Sequence, residues 1–227
     1  MWNDLIQVRS VGACFYVLRD SDGLYLIDSG FIGGRLALKK ALRQRGWEKE
    51  PIRGIILTHG HLDHVFNVAA IARSTRARIT APRLDRLHCE GRFPYRGIAR
   101  VCGGLETAGR NILRYEEFTV TNWFEVGAEF PIWGGLKAIH LPGHTDGHMG
   151  LYSESRKLLF CADLFASFAG ISHYPPNILN TLPEQIPASV AKALALDLEA
   201  VLPNHCDTAS PAEHLRRLRL LQRKKLA

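Results

Sequence analysis

A chain of 227 residues suffices for one well-cored domain, and its 46% hydrophobic and 22% charged residues exclude a disordered or fibrous protein. The net charge of +7 gathers in Arg73 to Arg86, Arg92 to Arg114 and the last residues, as basic helical faces do, so a polyanion partner does not follow from it. No run approaches the ~18 apolar residues of a membrane span, and five scattered cysteines without a C-x-x-C pair exclude a disulfide framework or cysteine zinc knuckle.

The first residues mix Asp4, Gln7 and Arg9 into apolar stretches, unlike a secretory leader, so a cytoplasmic location is expected. Leu5 to Arg9, Ala13 to Arg19 and Leu24 to Asp28 read as strands, the last two joined through Asp20-Ser21-Asp22-Gly23. Gly33-Gly34 opens a helix that runs to Arg45 and stops at Gly46. Ile52 to Thr58 is a continuous apolar run and reads as a buried strand. Helical spacing follows over His64 to Arg73, then a short strand at Ala77 to Thr80. Pro82 to Phe118 is rich in glycine and irregular, in part helical, and so long an insert is expected to be a lid or binding loop. Strands are predicted again at Phe118 to Val120, Phe124 to Val126, Leu136 to Leu141, Met149 to Tyr152 and Leu158 to Cys161. Helices at Glu184 to Asp197 and Pro211 to Lys224 flank a strand ending near Leu202. Two packed sheets with helices outside satisfy this order within one domain.

The chemistry concentrates where the buried strand ends, in Thr58-His59-Gly60-His61-Leu62-Asp63-His64. Imidazole and carboxylate donors without a thiolate suit zinc and neighbouring divalent ions and keep the metal Lewis acidic. A tight turn eased by Gly60 points His59 and His61 one way, and the first helical turn sends Asp63 and His64 the other, so one segment can feed two metals. Pro142-Gly143-His144-Thr145, Ala162-Asp163-Leu164 and Pro203-Asn204-His205 each follow an apolar run, which places them at strand ends. His88 and His214 lie in arginine-rich helical stretches and are expected in solvent. His140 reads as a satisfied sheet histidine, and Cys206 points away from its neighbour His205.

This set, H-x-H-x-D-H, P-G-H-T, a later aspartate and a final histidine, resembles the metallo-β-lactamase superfamily, in its glyoxalase II and lactonase-like branch, over Ala13 to His205. The resemblance implies an α/β fold, a four-layer αββα sandwich. It implies that His59, His61 and His144 hold one metal, that Asp63, His64 and His205 hold a second, and that Asp163 bridges them. The cofactors expected are two divalent ions, zinc first, with iron or manganese as alternatives. Two ions with two carboxylates and a bridging hydroxide leave a charge of about +1, which polarises a carbonyl or phosphoryl oxygen. Asp28, in Leu-Ile-Asp-Ser-Gly, resembles the family carboxylate that accepts a ligand histidine's free N–H, and His148 is expected to support the site from behind.

The expected reaction is attack of that hydroxide on an ester, thioester or lactone carbonyl, with Asp63 and Asp163 in the catalytic centre. β-Lactamases of the family lack the bridging aspartate and carry an export signal, and quorum-quenching lactonases carry a tyrosine where Asp163-Leu164-Phe165-Ala166 stands. Phosphodiester cleavage is the alternative, favoured by a pI near 9.3 but lacking a nucleic-acid-gripping domain. A single-iron dioxygenase needs fewer ligands, and a non-catalytic protein needs none. Tyr95 and Arg96 of the insert, with Phe165 and His173 after the bridging aspartate, are the expected substrate contacts. The expected partner is a small molecule and not a membrane; a homodimer is left open, and nucleic acid is the less favoured alternative.

Overall fold

β1 (Leu5–Arg9), β2 (Cys14–Asp20) and β3 (Gly23–Ile27) form an antiparallel meander, turned at Asp20–Gly23 as the hairpin residues require. The computed structural model describes residues 2–226. From β3 the sheet continues in parallel through β4 (Ile52–Ile56), β5 (Arg78–Pro82) and β6 (Asn122–Phe124), in the spatial order β1 to β6. Parallel neighbours need crossovers. These are α1 (Gly34–Arg45) between β3 and β4, and α2 (Leu62–Val65) with α3 (Val68–Thr75) between β4 and β5. The third crossover contains α4 (Arg86–Cys89) and α5 (Arg100–Ile112). Gly46 ends α1 in the left-handed conformation, and its amide reaches back to Leu42 and Arg43, a glycine cap of the expected kind.

A second sheet has the order β13-β10-β9-β8-β7. It comprises β7 (Glu129–Phe130), β8 (Leu136–His140), β9 (Met149–Ser153), β10 (Leu158–Ala162) and β13 (Ala200–Pro203). Only the β10–β13 pair is parallel there, and α6 (Ile186–Leu194) lies in the connection between them. β11 (Ala166–Phe168) and β12 (Ile171–His173) make a separate hairpin, and α7 (Pro211–Leu226) follows β13.

The chain divides into two compact units, Met1–Phe93 with Gly104–Phe124 and Pro94–Gly103 with Glu125–Ala227. The first buries Phe15, Val17, Leu24, Leu26, Ile55 and Leu57 beneath its sheet. The second buries Leu159, Val190, Val201 and Leu218. Each such side chain contributes roughly 1.5–3 kcal/mol by leaving water, which makes these two cores the main support of the strand ends described below.

Several elements depart from the expectation, among them the strand predicted at Phe124 to Val126, whose place is taken by β6 ending at Phe124. The helix predicted over His64 to Arg73 is broken between α2 and α3. There Asn67 donates its side-chain amide to the carbonyls of Ser29, Gly30 and Phe31, while the Ser29 hydroxyl takes the Asn67 backbone N–H and donates to His64 O. The strand predicted at Phe118 to Val120 is absent. Phe118 and Val120 pack against the first core, and pairing with β5 begins only at Asn122. Within the insert, α5 runs through Gly103, Gly104 and Gly109 despite the ~1 kcal/mol each costs in a helix. Among the described residues, no helix is long and apolar enough to cross a membrane.

Candidate metal centre

In the first unit, the ligand-bearing loop leaves the carboxyl end of β4, between parallel neighbours β3 and β5. Crevices outside such strand ends are where α/β sheets bind ligands. Asp28 follows β3 at φ +62°, a conformation strained for a residue with a side chain. Its amide is anchored to Ile56 O at 2.9 Å. The fully buried carboxylate accepts the Thr58 backbone N–H through Oδ1 and the Thr58 hydroxyl through Oδ2, both at 2.8 Å. Oδ2 also lies 3.0 Å from His64 Nδ1. A carboxylate can only accept, so His64 carries its proton on Nδ1 and its lone pair on Nε2. Thr58 spends its hydroxyl hydrogen on Asp28, so its Oγ1 accepts from His59 Nδ1 at 3.0 Å, and His59 likewise presents Nε2.

The rings of His59 and His61 meet at 4.8 Å between centroids, and those of His59 and His64 at 4.1 Å. Asp63 Oδ2 lies 3.8 Å from His64 Nε2 and is partly exposed. The first unit therefore brings all four of its expected ligands together. Gly60 is required here. A Cβ would stand 2.5 Å from Cys89 N and 2.7 Å from the His88 backbone carbon. Burial pushes the Glu106 carboxyl above its usual range; the Leu62 amide opposes this and the charge of Asp63 adds to it.

The second unit assembles its own cluster. Parallel pairing sets Ala162 opposite Pro203, so Asp163 and His205 emerge side by side. Asp163 Oδ2 lies 3.0 Å from His205 Nε2 and 3.3 Å from His144 Nε2. Asn180 Oδ1, an acceptor, takes the proton of His144 Nδ1 at 2.9 Å, and the Asn180 amide nitrogen donates to Pro175 O, which fixes its orientation. His144 thus presents Nε2 as His59 and His64 do. The turn before it needs Gly143, at φ +134°, where a Cβ would come within 2.6 Å of Ile186 Cγ1. His148 accepts the Asp163 N–H on Nε2 at 3.1 Å and donates from Nδ1 to Leu141 O, so it holds the backbone of the aspartate.

Several expected roles move. His88 is buried, not solvated. Its ring stands 5.4 Å from that of His61, and its Nδ1 lies 3.4 Å from Asp85 Oδ1. His214 is buried too, with Nδ1 2.7 Å from Ser167 Oγ. Arg86 of the first stretch and Arg216 and Arg219 of the second are exposed, while Arg217 turns inward with His214 and meets the same Ser167 hydroxyl. Phe165 is packed in the second core and offers no surface to a substrate. Tyr95 is buried as well, whereas Arg96 and His173 are exposed. His140 is satisfied as expected, with Nε2 2.8 Å from Asp146 O. Cys206 donates to Pro203 O. Thr58 and Asn180 escaped the sequence reading. Thr58 at least adjoined the first ligand, while nothing near Asn180 signals its role.

The donor set fits divalent metal ions. Histidines whose second nitrogen is committed to an oxygen acceptor have the arrangement that fixes the tautomer and raises the basicity of a metal ligand. The model of the metallo-β-lactamase superfamily matches residues 11–205. A hydroxyacylglutathione hydrolase of Enterobacter sp. (strain 638) is 28% identical over 184 residues, 81% of this chain but 57% of that one. The hydroxyacylglutathione hydrolase GloC of Haemophilus influenzae is 27% identical over 174 residues, 74% of either chain. The chain thus spans little more than half the length of the first relative. BJP-1, a subclass B3 metallo-β-lactamase of Bradyrhizobium japonicum, superposes over 98% of this chain and 89% of its own with a TM-score of 0.69 at 21% identity. That likeness carries the expected mixed α/β fold. The chain belongs to the metallo-β-lactamase superfamily.

Proposed function

We propose that this chain is a dinuclear metal-dependent hydrolase of thioesters and related esters. In this reading His59, His61 and His144 would hold one ion and Asp63, His64 and His205 the other, with Asp163 as the carboxylate that would serve both. The observation that carries it is the shared tautomer of His59, His64 and His144. Each donates from Nδ1 to an oxygen acceptor and so carries its lone pair on Nε2. When bound, two divalent ions supply an activated water and a Lewis acid for the carbonyl oxygen. Around them, Asp28, Thr58 and Asn180 orient the imidazoles, and His148 holds the loop of Asp163. Thioesters lead the candidate substrates because two relatives bear the name hydroxyacylglutathione hydrolase. Zinc leads the candidate metals because the set is imidazole and carboxylate without thiolate.

Elemental analysis of the reconstituted protein, beside a panel of thioester, lactone, β-lactam and phosphodiester substrates, tests this. About two ions per chain and fastest turnover of a thioester are expected, with activity lost to a chelator and regained with zinc. A single tight iron, or turnover confined to phosphodiesters, would overturn it.

Arg96 and His173 are the proposed substrate contacts. The 3-10 turn Gly97–Ala99 packs against Asn177–Leu179, just before Asn180, which ties this part of the insert to the segment that orients His144. Arg96→Ala should raise KM for an anionic thioester about tenfold, the loss of one hydrogen bond to a charged group, at unchanged metal content. Tyr95→Ala should lower Tm instead, since that ring is buried. Equal KM and equal substrate ranking in Arg96→Ala would assign this stretch to architecture alone.

A further inference from the structure

The loop from His59 to Leu62 is held by side chains from well outside it. Asp85 Oδ2 accepts the Gly60 amide at 2.6 Å. Both oxygens of Glu106 face the Leu62 amide, at 3.2 and 3.1 Å. Arg110 Nη2 donates to Gly60 O and to His88 O, each at 3.2 Å. The backbone groups on either side of His61 are thus bonded to three charged side chains. Exposed loop backbone would ordinarily use water. Arg110 is itself fixed, with its guanidinium 4.4 Å from the Tyr115 ring centroid and 5.1 Å from that of Phe93. Gly109, in the same helix, lets α5 approach Leu62, where a Cβ would stand 3.0 Å from Leu62 Cδ2. Gly109, which weakens α5 as a helix, therefore accompanies its close seat against the loop, whereas a Cβ on Gly104 would meet nothing.

We propose that Asp85, Glu106 and Arg110 are positioning residues that hold His59 and His61 in a metal-ready arrangement and so set how tightly this half of the centre keeps its ion. The inference rests on the dinuclear reading above and adds to it a role for the insert that differs from a lid. Charge-assisted hydrogen bonds to backbone amides are among the stronger ones a protein makes. Side chains behind metal ligands typically control affinity 10–100-fold.

The test uses the full chain and two readouts. One is zinc affinity by competition with a chromophoric chelator; the other is hydrogen exchange of the Gly60 and Leu62 amides in metal-free protein. Glu106→Ala should speed exchange at Leu62 and weaken one zinc site by about 10–100-fold. Glu106→Gln, whose amide oxygen accepts the same bond, should recover most of both. Asp85→Ala should do the same at Gly60, with Asp85→Asn as its rescue. If an alanine variant fails to fold, Arg110→Lys, which keeps the charge but loses the guanidinium geometry, should still weaken zinc binding. Wild-type affinity and exchange in Glu106→Ala and Asp85→Ala would overturn the proposal. A wild-type chain that binds no zinc would sink the dinuclear reading instead, and the exchange measurement would still decide whether the clamp exists.

Discussion

Asp163→Ala is expected to lower kcat/KM for the best substrate about a thousandfold, a loss of about 4 kcal/mol of transition-state stabilisation. Asp163 is nearly buried, and its Oδ2 faces His144 and His205 at 3.3 and 3.0 Å. Removing it takes away the carboxylate proposed to join the two ions and leaves two imidazoles without the group that draws them together. Metal content should fall with activity, from about two ions toward one. His140→Ala and His214→Ala are the proper controls, because their side chains bond to Asp146 O and Ser167 Oγ and to no proposed ligand. His88 does not serve, since its ring lies beside that of His61. Near-wild-type turnover by metal-loaded Asp163→Ala protein would show the bridge to be misplaced.

Asp28→Ala should have the next largest effect, on stability as well as on metal. Three buried donors, the Thr58 amide, the Thr58 hydroxyl and His64 Nδ1, share this one carboxylate. Each donor left unsatisfied costs about 1–3 kcal/mol, so a stability loss of roughly 3 kcal/mol or more is expected, read as a fall in Tm. Zinc affinity should drop 10–100-fold as His64 loses its fixed tautomer. Asp28→Asn separates the causes. Asparagine tolerates the left-handed backbone at φ +62° and keeps one acceptor oxygen, so Tm should fall less while metal binding stays impaired. An unchanged Tm and metal content in Asp28→Ala would show that the network contributes neither.

The candidate ligands could be read from the sequence because they follow strand ends in a closely spaced pattern. The strands themselves announce their ends through continuous apolar runs. What stayed hidden depends on tertiary contact. Asn180 lies far along the chain from His144 and meets it only once the turn before α6 is folded. Thr58 reads as the last residue of a strand, and its part in orienting His59 exists only when Asp28 takes its hydroxyl hydrogen. Flanking arginines suggested solvent for His88 and His214, yet a helix can bear charge on one face and bury a histidine on the other. The glycines of α5 argued against a helix whose compensating bonds come from Glu106 and Arg110 to another segment. Propensity could not see those bonds.

The division of the chain also bears on how such sequences can be recombined. Residues 94–103 belong to the unit built mainly from the second half, although residues on both sides of them belong to the first. A chimera joined at a single point after residue 124 would therefore lodge one parent's 94–103 among the other parent's residues. Keeping each unit of one parentage takes three junctions, at 93/94, 103/104 and 124/125. The 103/104 junction would give Arg96 a different parent from Glu106 and Arg110, so the proposed substrate contact and the proposed loop clamp could be inherited separately.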